Sequence, residues 1–196
     1  MKKICVFCGS SKGILQAYAR QAEALADVLV DKNIELVYGG ANIGLMKVIA
    51  DRVLMRGGAV TGVMPGNLAA NEILHERMTE TILVEDMQER KKTMEELSDG
   101  FITMPGGFGT MDEMFEMLSW NQLGLINKPV GIYNIEGYYN PMIQWLDHAV
   151  EMKFVRPEHR DNILENTDPL ALVGSMLNYR AKVAEKWVDR LKEKGY

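Results

Sequence analysis

Cysteine is nearly missing from this 196-residue chain, which contains only Cys5 and Cys8. Two thiols build no disulfide framework, and one C-x-x-C pair supplies half of the four ligands that a structural zinc site takes. Histidine is equally scarce: His75, His148 and His159 lie far apart, without ligand spacing. Cys5 falls inside the apolar run Ile4–Phe7, where a thiol behaves as a small hydrophobe, so the pair reads as packing, with redox or metal work as the alternative. Positive charge is in deficit, with 22 Lys and Arg against 27 Asp and Glu and a net charge of -5. That balance disfavours general nucleic-acid binding, while a local basic pocket for one small anion stays open. No apolar run approaches the roughly 20 residues that cross a bilayer, so no membrane partner is expected. The start MKKICVFCGSS lacks the apolar stretch of a signal peptide, and the cytoplasm is the expected compartment. There is no Pro/Gly/Ser-rich linker, low-complexity tract or solenoid-period repeat, and residues 1–196 read as a single domain.

What is present is an alternation. Ile4–Phe7 is a short apolar run ending in Cys8-Gly9-Ser10-Ser11-Lys12-Gly13, a buried strand followed by a polar loop. Leu15, Tyr18, Ala22, Leu25, Ala26 and Leu29 then recur at helical spacing. Strands are expected at Ile34–Tyr38, Ala59–Met64, Thr81–Val84, Gly100–Met104, Pro129–Tyr133 and Ile163–Glu165. Helices are expected over Leu45–Met55, Met87–Leu97, about Met111–Leu123, Asn140–Glu151 and most of Leu170–Lys194, the last in two pieces, with Trp187 covering a sheet edge. Such a sequence of elements predicts an α/β fold: a Rossmann-like, doubly wound parallel sheet with helices on both faces.

Ligands of open parallel sheets bind beyond the C-terminal strand ends, where helix N-termini present unpaired N–H groups. Three glycine-bearing loops belong there: Gly9–Gly13, Gly39–Gly44 and Pro105–Thr110. In the last, Gly106, Gly107 and Gly109 allow close backbone approach and Thr110 opens a helix as cap or ligand hydroxyl, which makes a cradle for a single phosphate. A tight turn without a ligand is the plainer alternative. No Walker loop ending in Gly-Lys-Ser/Thr occurs, and the loop after the first strand is not G-x-G-x-x-G. A phosphorylated small molecule is therefore favoured over ATP hydrolysis or hydride transfer.

Beside the cradle, Glu113 and Glu116 share a helical face, and Glu113 lies near the helix start, which favours its ionised form. Simple helix-start preference also accounts for both acids. On the preceding helix Arg90 shares a face with Met87, Met94 and Leu97, an unusual setting for a guanidinium unless something anionic or aromatic meets it. Snorkelling or a nearby carboxylate would also explain it. Lys91 and Lys92 are either surface charges or part of the same basic cluster. The 14 methionines read as adaptable core filler, a few of them near a pocket. Spacing alone does not place Tyr133 or Tyr138 at the site.

From its N-terminus to about Tyr139 the sequence resembles the LOG (Lonely Guy) family, cytokinin riboside 5'-monophosphate phosphoribohydrolases that were long labelled lysine decarboxylases. The likeness rests on CVFCGSSKG at Cys5–Gly13, YGGANIGLM at Tyr38–Met46, GVMPGNL at Gly62–Leu68, MQERK at Met87–Lys91 and PGGFGTMDE at Pro105–Glu113. The resemblance implies cleavage of the N-glycosidic bond of a nucleoside 5'-monophosphate, with N6-prenylated adenine or adenine as the base and ribose 5-phosphate as the other product. It implies Arg90 and Glu113 as the catalytic pair and Gly106, Gly107, Gly109 and Thr110 as the phosphate site. Gly39 and Gly40 then line the cleft, and Ser10, Met87, Lys91 and Glu116 are further substrate-binding candidates. It also implies a homodimer with the site near the subunit interface, and neither a metal nor another cofactor. Gln88 stands where the family often has histidine, and Lys47 where it often has glycine, so base preference is the feature most open to change. A nucleotide-binding or molybdenum-cofactor carrier protein of the same fold is the alternative. A decarboxylase is less favoured, because no lysine is singled out for a pyridoxal phosphate Schiff base.

Overall fold

The computed structural model describes residues 1–69 and 74–182. The chain alternates strand and helix: β1 (Lys3–Phe7), α1 (Gln16–Asp31), β2 (Glu35–Tyr38), α2 (Gly44–Met55), β3 (Val60–Pro65) and the short α3 (Gly66–Leu68). It continues through β4 (Glu80–Val84), α4 (Met87–Leu97), β5 (Gly100–Thr103), α5 (Phe108–Leu123), β6 (Val130–Tyr133), α6 (Asn140–Glu151), α7 (Pro157–Asp161), β7 (Ile163–Asn166) and α8 (Pro169–Leu177). The seven strands form one sheet in the order β4-β3-β2-β1-β5-β6-β7, with every pairing parallel. The Rossmann-like, doubly wound arrangement expected from the alternation is the one observed.

β1 shows why this sheet needs two covers. Successive side chains of a strand point to opposite faces, and residues 4 to 7 are all buried. Ile4 and Val6 join a core with Leu25 and Leu29 of α1, Ile49 and Val53 of α2 and Leu172 of α8. Cys5 and Phe7 join another with Met94 of α4, Met114 and Met117 of α5 and Leu146 of α6. On the first face, α1 and α2 are also tied by Asp27, which accepts from Arg52 Nε at 2.7 Å and from Arg56 Nη1 at 2.8 Å. The buried methionines fill these cores, as their flexibility suits.

Strand order fixes where a ligand can enter. The chain proceeds outward from β1 through β2, β3 and β4, then returns to the other side of β1 with β5. The reversal puts the loops after β1 and β5 side by side at the C-terminal edge of the sheet, joined where the Gly9 N–H donates to the Pro105 carbonyl at 3.0 Å, the usual ligand edge of such folds. Gly44 joins the loop after β2 to the same place. It sits at φ +59°, and a Cβ there would overlap the Ser10 backbone carbonyl group. Leu45 N–H donates to the Gly9 carbonyl at 3.0 Å, locking the two loops together.

Two expectations are corrected. α5 begins at Phe108, with Gly107 as its N-cap, so Thr110 lies in the first turn and not at the helix start. The N–H groups of the first turn have no intrahelical partner, and glycine is an accepted N-cap, the position that Gly107 takes. Helix α8 ends at Leu177, because Asn178 donates to the Gly174 carbonyl and the chain then turns back to Asn162, whose side chain pairs with the Lys182 backbone. The rest of the helix expected to Lys194, with Trp187, lies outside the described residues.

Gly44→Ala combines a left-handed backbone with a backbone clash, so it should lower the unfolding free energy by about 3 kcal/mol, read from urea denaturation midpoints.

Candidate active site

Arg90 is positioned by the start of α4. Asp86 caps that helix, accepting from the backbone N–H groups of Gln88 and Glu89 at 2.8 Å each, while Glu89 reaches back to the Glu85 N–H at 2.6 Å. With the first turn fixed, Arg90 points into the sheet edge and is only 9% exposed. Its Nε donates to the Val63 carbonyl at 3.0 Å and its Nη2 to the Gly39 carbonyl at 2.9 Å. Nη1 faces the Met87 sulfur at 3.7 Å. The guanidinium thus bonds the backbone just past the end of β2 and the facing residue of β3, and among the described residues it pairs with no carboxylate. A Cβ on Gly39 would overlap Nη2, so a side chain at position 39 and a guanidinium in this pose exclude each other. Among the described residues, three of its five N–H donors are engaged.

Glu113 enters from α5, just past the glycine loop. Arg90 and Glu113 form no ion pair among the described residues, yet each lies in the other's field. Burial pushes the Glu113 carboxyl from its ordinary 4.5 up to about 7, against the pull of the Arg90 charge. The expectation of a firmly ionised carboxylate is therefore corrected. The helix start does favour the anion, but loss of water outweighs it.

The remaining candidates fall into two groups. Gly39, Gly40, Ser10, Gly106, Gly107, Gly109 and Thr110 lie on the loops and first helical turn at the C-terminal strand ends, with Met87 half-exposed above Arg90. Thr110 is buried, with its side chain filling the space that a Cβ on Gly106 would need. Lys91 and Glu116 instead meet each other at 3.1 Å, and Lys91 also reaches Asp112 at 3.1 Å. Burial pulls the Lys91 amine down, but the two carboxylates outweigh it and hold its pKa above the ordinary value. This buried ammonium bridges α4 to the residues flanking Glu113. Gln88 lies exposed on α4, and Lys47 pairs with Asp51 at 3.0 Å and Asn42 at 2.8 Å.

Cys5 and Cys8 are free and buried, and burial first, with the Glu113 charge second, raises both thiols above their usual range. Thiolate chemistry is correspondingly disfavoured. Among the described residues no three His, Cys, Asp or Glu side chains could hold a metal ion, and no helix is long and apolar enough to cross a membrane. Of the two tyrosines that spacing could not place, Tyr133 is fully buried and bonds to Gln21 in the core, whereas Tyr138 donates to the Gly106 carbonyl at 2.6 Å. Tyr139, which sequence reasoning missed, donates to the Met104 carbonyl at 2.8 Å. The signal was available in the topology, since a Tyr-Tyr pair following β6 emerges at the same sheet edge as the glycine loops.

A Rossmann-like α/β protein with a glycine loop at its switch point, and a buried guanidinium and a half-buried carboxylate at the same strand ends, is the class that fold and geometry define. A family model described as "Possible lysine decarboxylase" matches residues 46–176. Cytokinin riboside 5'-monophosphate phosphoribohydrolase LOG1 of Arabidopsis thaliana is 45% identical over 188 residues, covering 94% of this chain and 88% of that one. LOG3 of the same plant is 40% identical over 198 residues, covering 100% and 92%. The chain belongs to this family, the LOG proteins. Among solved structures, the molybdenum cofactor binding protein of Rippkaea orientalis superposes with a TM-score of 0.68 at 18% identity, covering 90% of this chain and 98% of that one. The molybdenum cofactor carrier protein of Chlamydomonas reinhardtii gives 0.68 at 18%, covering 91% and 99%. At that identity the likeness is one of fold.

Two stability measurements probe this geometry. Glu113 ionises near 7 when folded and near 4.5 when unfolded, so the wild type loses stability as pH rises between those values. Glu113→Gln carries no such penalty. The variant should match the wild type near pH 4 and exceed it by up to about 3 kcal/mol at pH 8, in urea melts at both pH values. Lys91→Met should cost about 2–3 kcal/mol by leaving Glu116 unpaired, and adding Glu116→Leu should restore most of the loss, seen in the same melts.

Proposed function

We propose that this chain hydrolyses the N-glycosidic bond of nucleoside 5'-monophosphates, cytokinin riboside 5'-monophosphates and AMP among them, releasing the free base and ribose 5-phosphate. The observation that carries the reading is the convergence of Arg90 and Glu113, from separate helices, beside the Gly106–Thr110 loop, in a chain 45% identical to LOG1. The same reading takes residues 1–196 as one domain, acting in the cytoplasm as a homodimer with the site near the subunit contact and without a cofactor.

Each residue has a role that suits its chemistry. The N–H groups at the start of α5, with Gly106, Gly107, Gly109 and Thr110, hold the phosphate, and Ser10, Gly39 and Gly40 close the cleft around the sugar. Anchoring the phosphate fixes the ribose and lowers the entropic cost of reaching the reactive pose. As the C1'–N9 bond breaks, positive charge grows on C1' and O4', negative charge on the base. The Glu113 carboxylate stabilises the first and orients the water that adds to C1'. Arg90 remains protonated and supplies charge and hydrogen bonds to the departing base or the phosphate; the proton that the base takes up comes from water. Met87 offers an apolar contact to the base, while Lys91 and Glu116 keep α4 and α5 in register. Lysine decarboxylation fits poorly, since a Schiff base needs a neutral amine and Lys91 is held as an ammonium by two carboxylates.

Because the ionised carboxylate is the working form, kcat/KM for AMP should rise with pH through about 7 and then level off. Glu113→Gln should lose on the order of 10³-fold in base release while keeping its fold, and its residual rate should not follow that rise. The assay is product mass from AMP and a prenylated AMP. Wild-type activity in the variant, or tight nucleotide binding with no base released by the wild type, would count against hydrolysis, the second outcome favouring a carrier.

A further inference from the structure

The turn after β6 is unusual, and its peculiarity is directed at the glycine loop. Asn134, 3% exposed, pins it: its Oδ1 accepts from the Tyr139 N–H at 2.8 Å, and its Nδ2 donates to Asn140 at 2.8 Å and Glu165 at 3.0 Å. Between these anchors Glu136 is left-handed, at φ 53° and ψ 28°, and Gly137 follows at φ 69°. A left-handed glutamate costs about 1 kcal/mol, and such strain persists only where its surroundings enforce it. The result is to present two adjacent tyrosines to one loop.

Three successive carbonyls of that loop receive a donor from outside it. Tyr139 Oη takes Met104 at 2.8 Å, the Gly9 N–H takes Pro105 at 3.0 Å, and Tyr138 Oη takes Gly106 at 2.6 Å. The first of these satisfies a buried carbonyl and needs no further reason. The third is different. Tyr138 is 42% exposed, and the bond to Gly106 is a solvent-exposed one, where water could serve that carbonyl equally well. What the hydroxyl adds is direction.

Resting on the reading of this loop as the phosphate site, we propose that Tyr138 is a positioning residue that sets the orientation of the Gly106–Gly107 peptide. In a trans peptide the N–H lies opposite the carbonyl, so holding the Gly106 oxygen on the Tyr138 side turns the Gly107 N–H to the other side. Glycine on both sides makes this the peptide most easily flipped in the loop. In the flipped state a carbonyl oxygen replaces an N–H, and an oxygen repels a phosphate. The ring is held independently of the hydroxyl, edge-on to Tyr139 at 4.9 Å and to Tyr18 at 6.0 Å.

Tyr138→Phe keeps those ring contacts and removes only the donor. In the full chain, its dissociation constant for ribose 5-phosphate should rise about tenfold by calorimetry, the change expected for one hydrogen bond. KM for AMP should rise in parallel with kcat changed less than about twofold. Inhibition by adenosine, which has no phosphate, and the thermal midpoint should stay as in the wild type. Unchanged ribose 5-phosphate binding in the variant, or equal weakening of adenosine, overturns the positioning role alone. A wild type that neither binds ribose 5-phosphate nor releases base from AMP overturns both this role and the proposed hydrolysis.

Discussion

A guanidinium buried against the ends of two parallel strands is the constraint around which this cleft is arranged. Strand ends leave carbonyls without ladder partners, and in a crevice that closes over a ligand water is an uncertain donor. Arg90 meets that need for β2 and β3 through Val63 and Gly39. Once placed, it imposes conditions on its neighbours. Residue 39 must lack a side chain, and α4 must begin where Asp86 caps it. A buried positive charge with no carboxylate in direct contact among the described residues also biases the cleft toward an anion. A phosphorylated ligand satisfies that bias; a neutral one does not.

Glu113 is the counterpart whose balance is set the other way. Arg90 draws its carboxyl toward ionisation, burial opposes this more strongly, and Lys91, which could have neutralised it, is held by Asp112 and Glu116 on either side. The carboxyl therefore stays poised near neutrality, at a cost in stability whenever it ionises. Glu136 adds a second unfavourable element at the same edge of the sheet. Backbone strain is not confined to this crevice, since Lys153 beyond α6 is left-handed at φ 65°, but here it coincides with a carboxyl that burial holds near neutrality.

Much of this was legible in the sequence, and the rest failed for identifiable reasons. Apolar runs and glycine loops located all seven strands to within a few residues, because five of them are largely buried and the edge strands β4 and β7 still carry short apolar runs bounded by turn residues. The bounds of Met87–Leu97 and Asn140–Glu151 match those expected. The start of α5 did not, since a propensity reading penalises glycine where the first turn tolerates it. The protonation of Glu113 was misjudged because the helix-terminus effect can be read locally, whereas desolvation depends on what folds over the residue. The partners of Arg90 lie 27 and 51 residues away along the chain and are backbone atoms, which no side-chain motif reveals. Topology brings Tyr138 to the right edge of the sheet, but its direction depends on a left-handed glutamate that propensity alone would never suggest.

The same fold, at 18% identity, serves proteins named for carrying a molybdenum cofactor, so the sheet and its loops do not by themselves separate a carrier from a hydrolase. Electrostatics offers a sharper distinction. A site that only holds a phosphorylated ligand gains nothing from a second negative group near the sugar. Repulsion between that group and the phosphate weakens binding in every state, and the Arg90 charge would serve the anion better undivided. A carboxylate kept beside the sugar becomes favourable only when positive charge appears there, and in the proposed reaction that happens as the glycosidic bond opens. An arrangement that penalises the bound ground state and favours its charge-separated successor is differential stabilisation, the physical requirement for a catalyst and a handicap for a carrier.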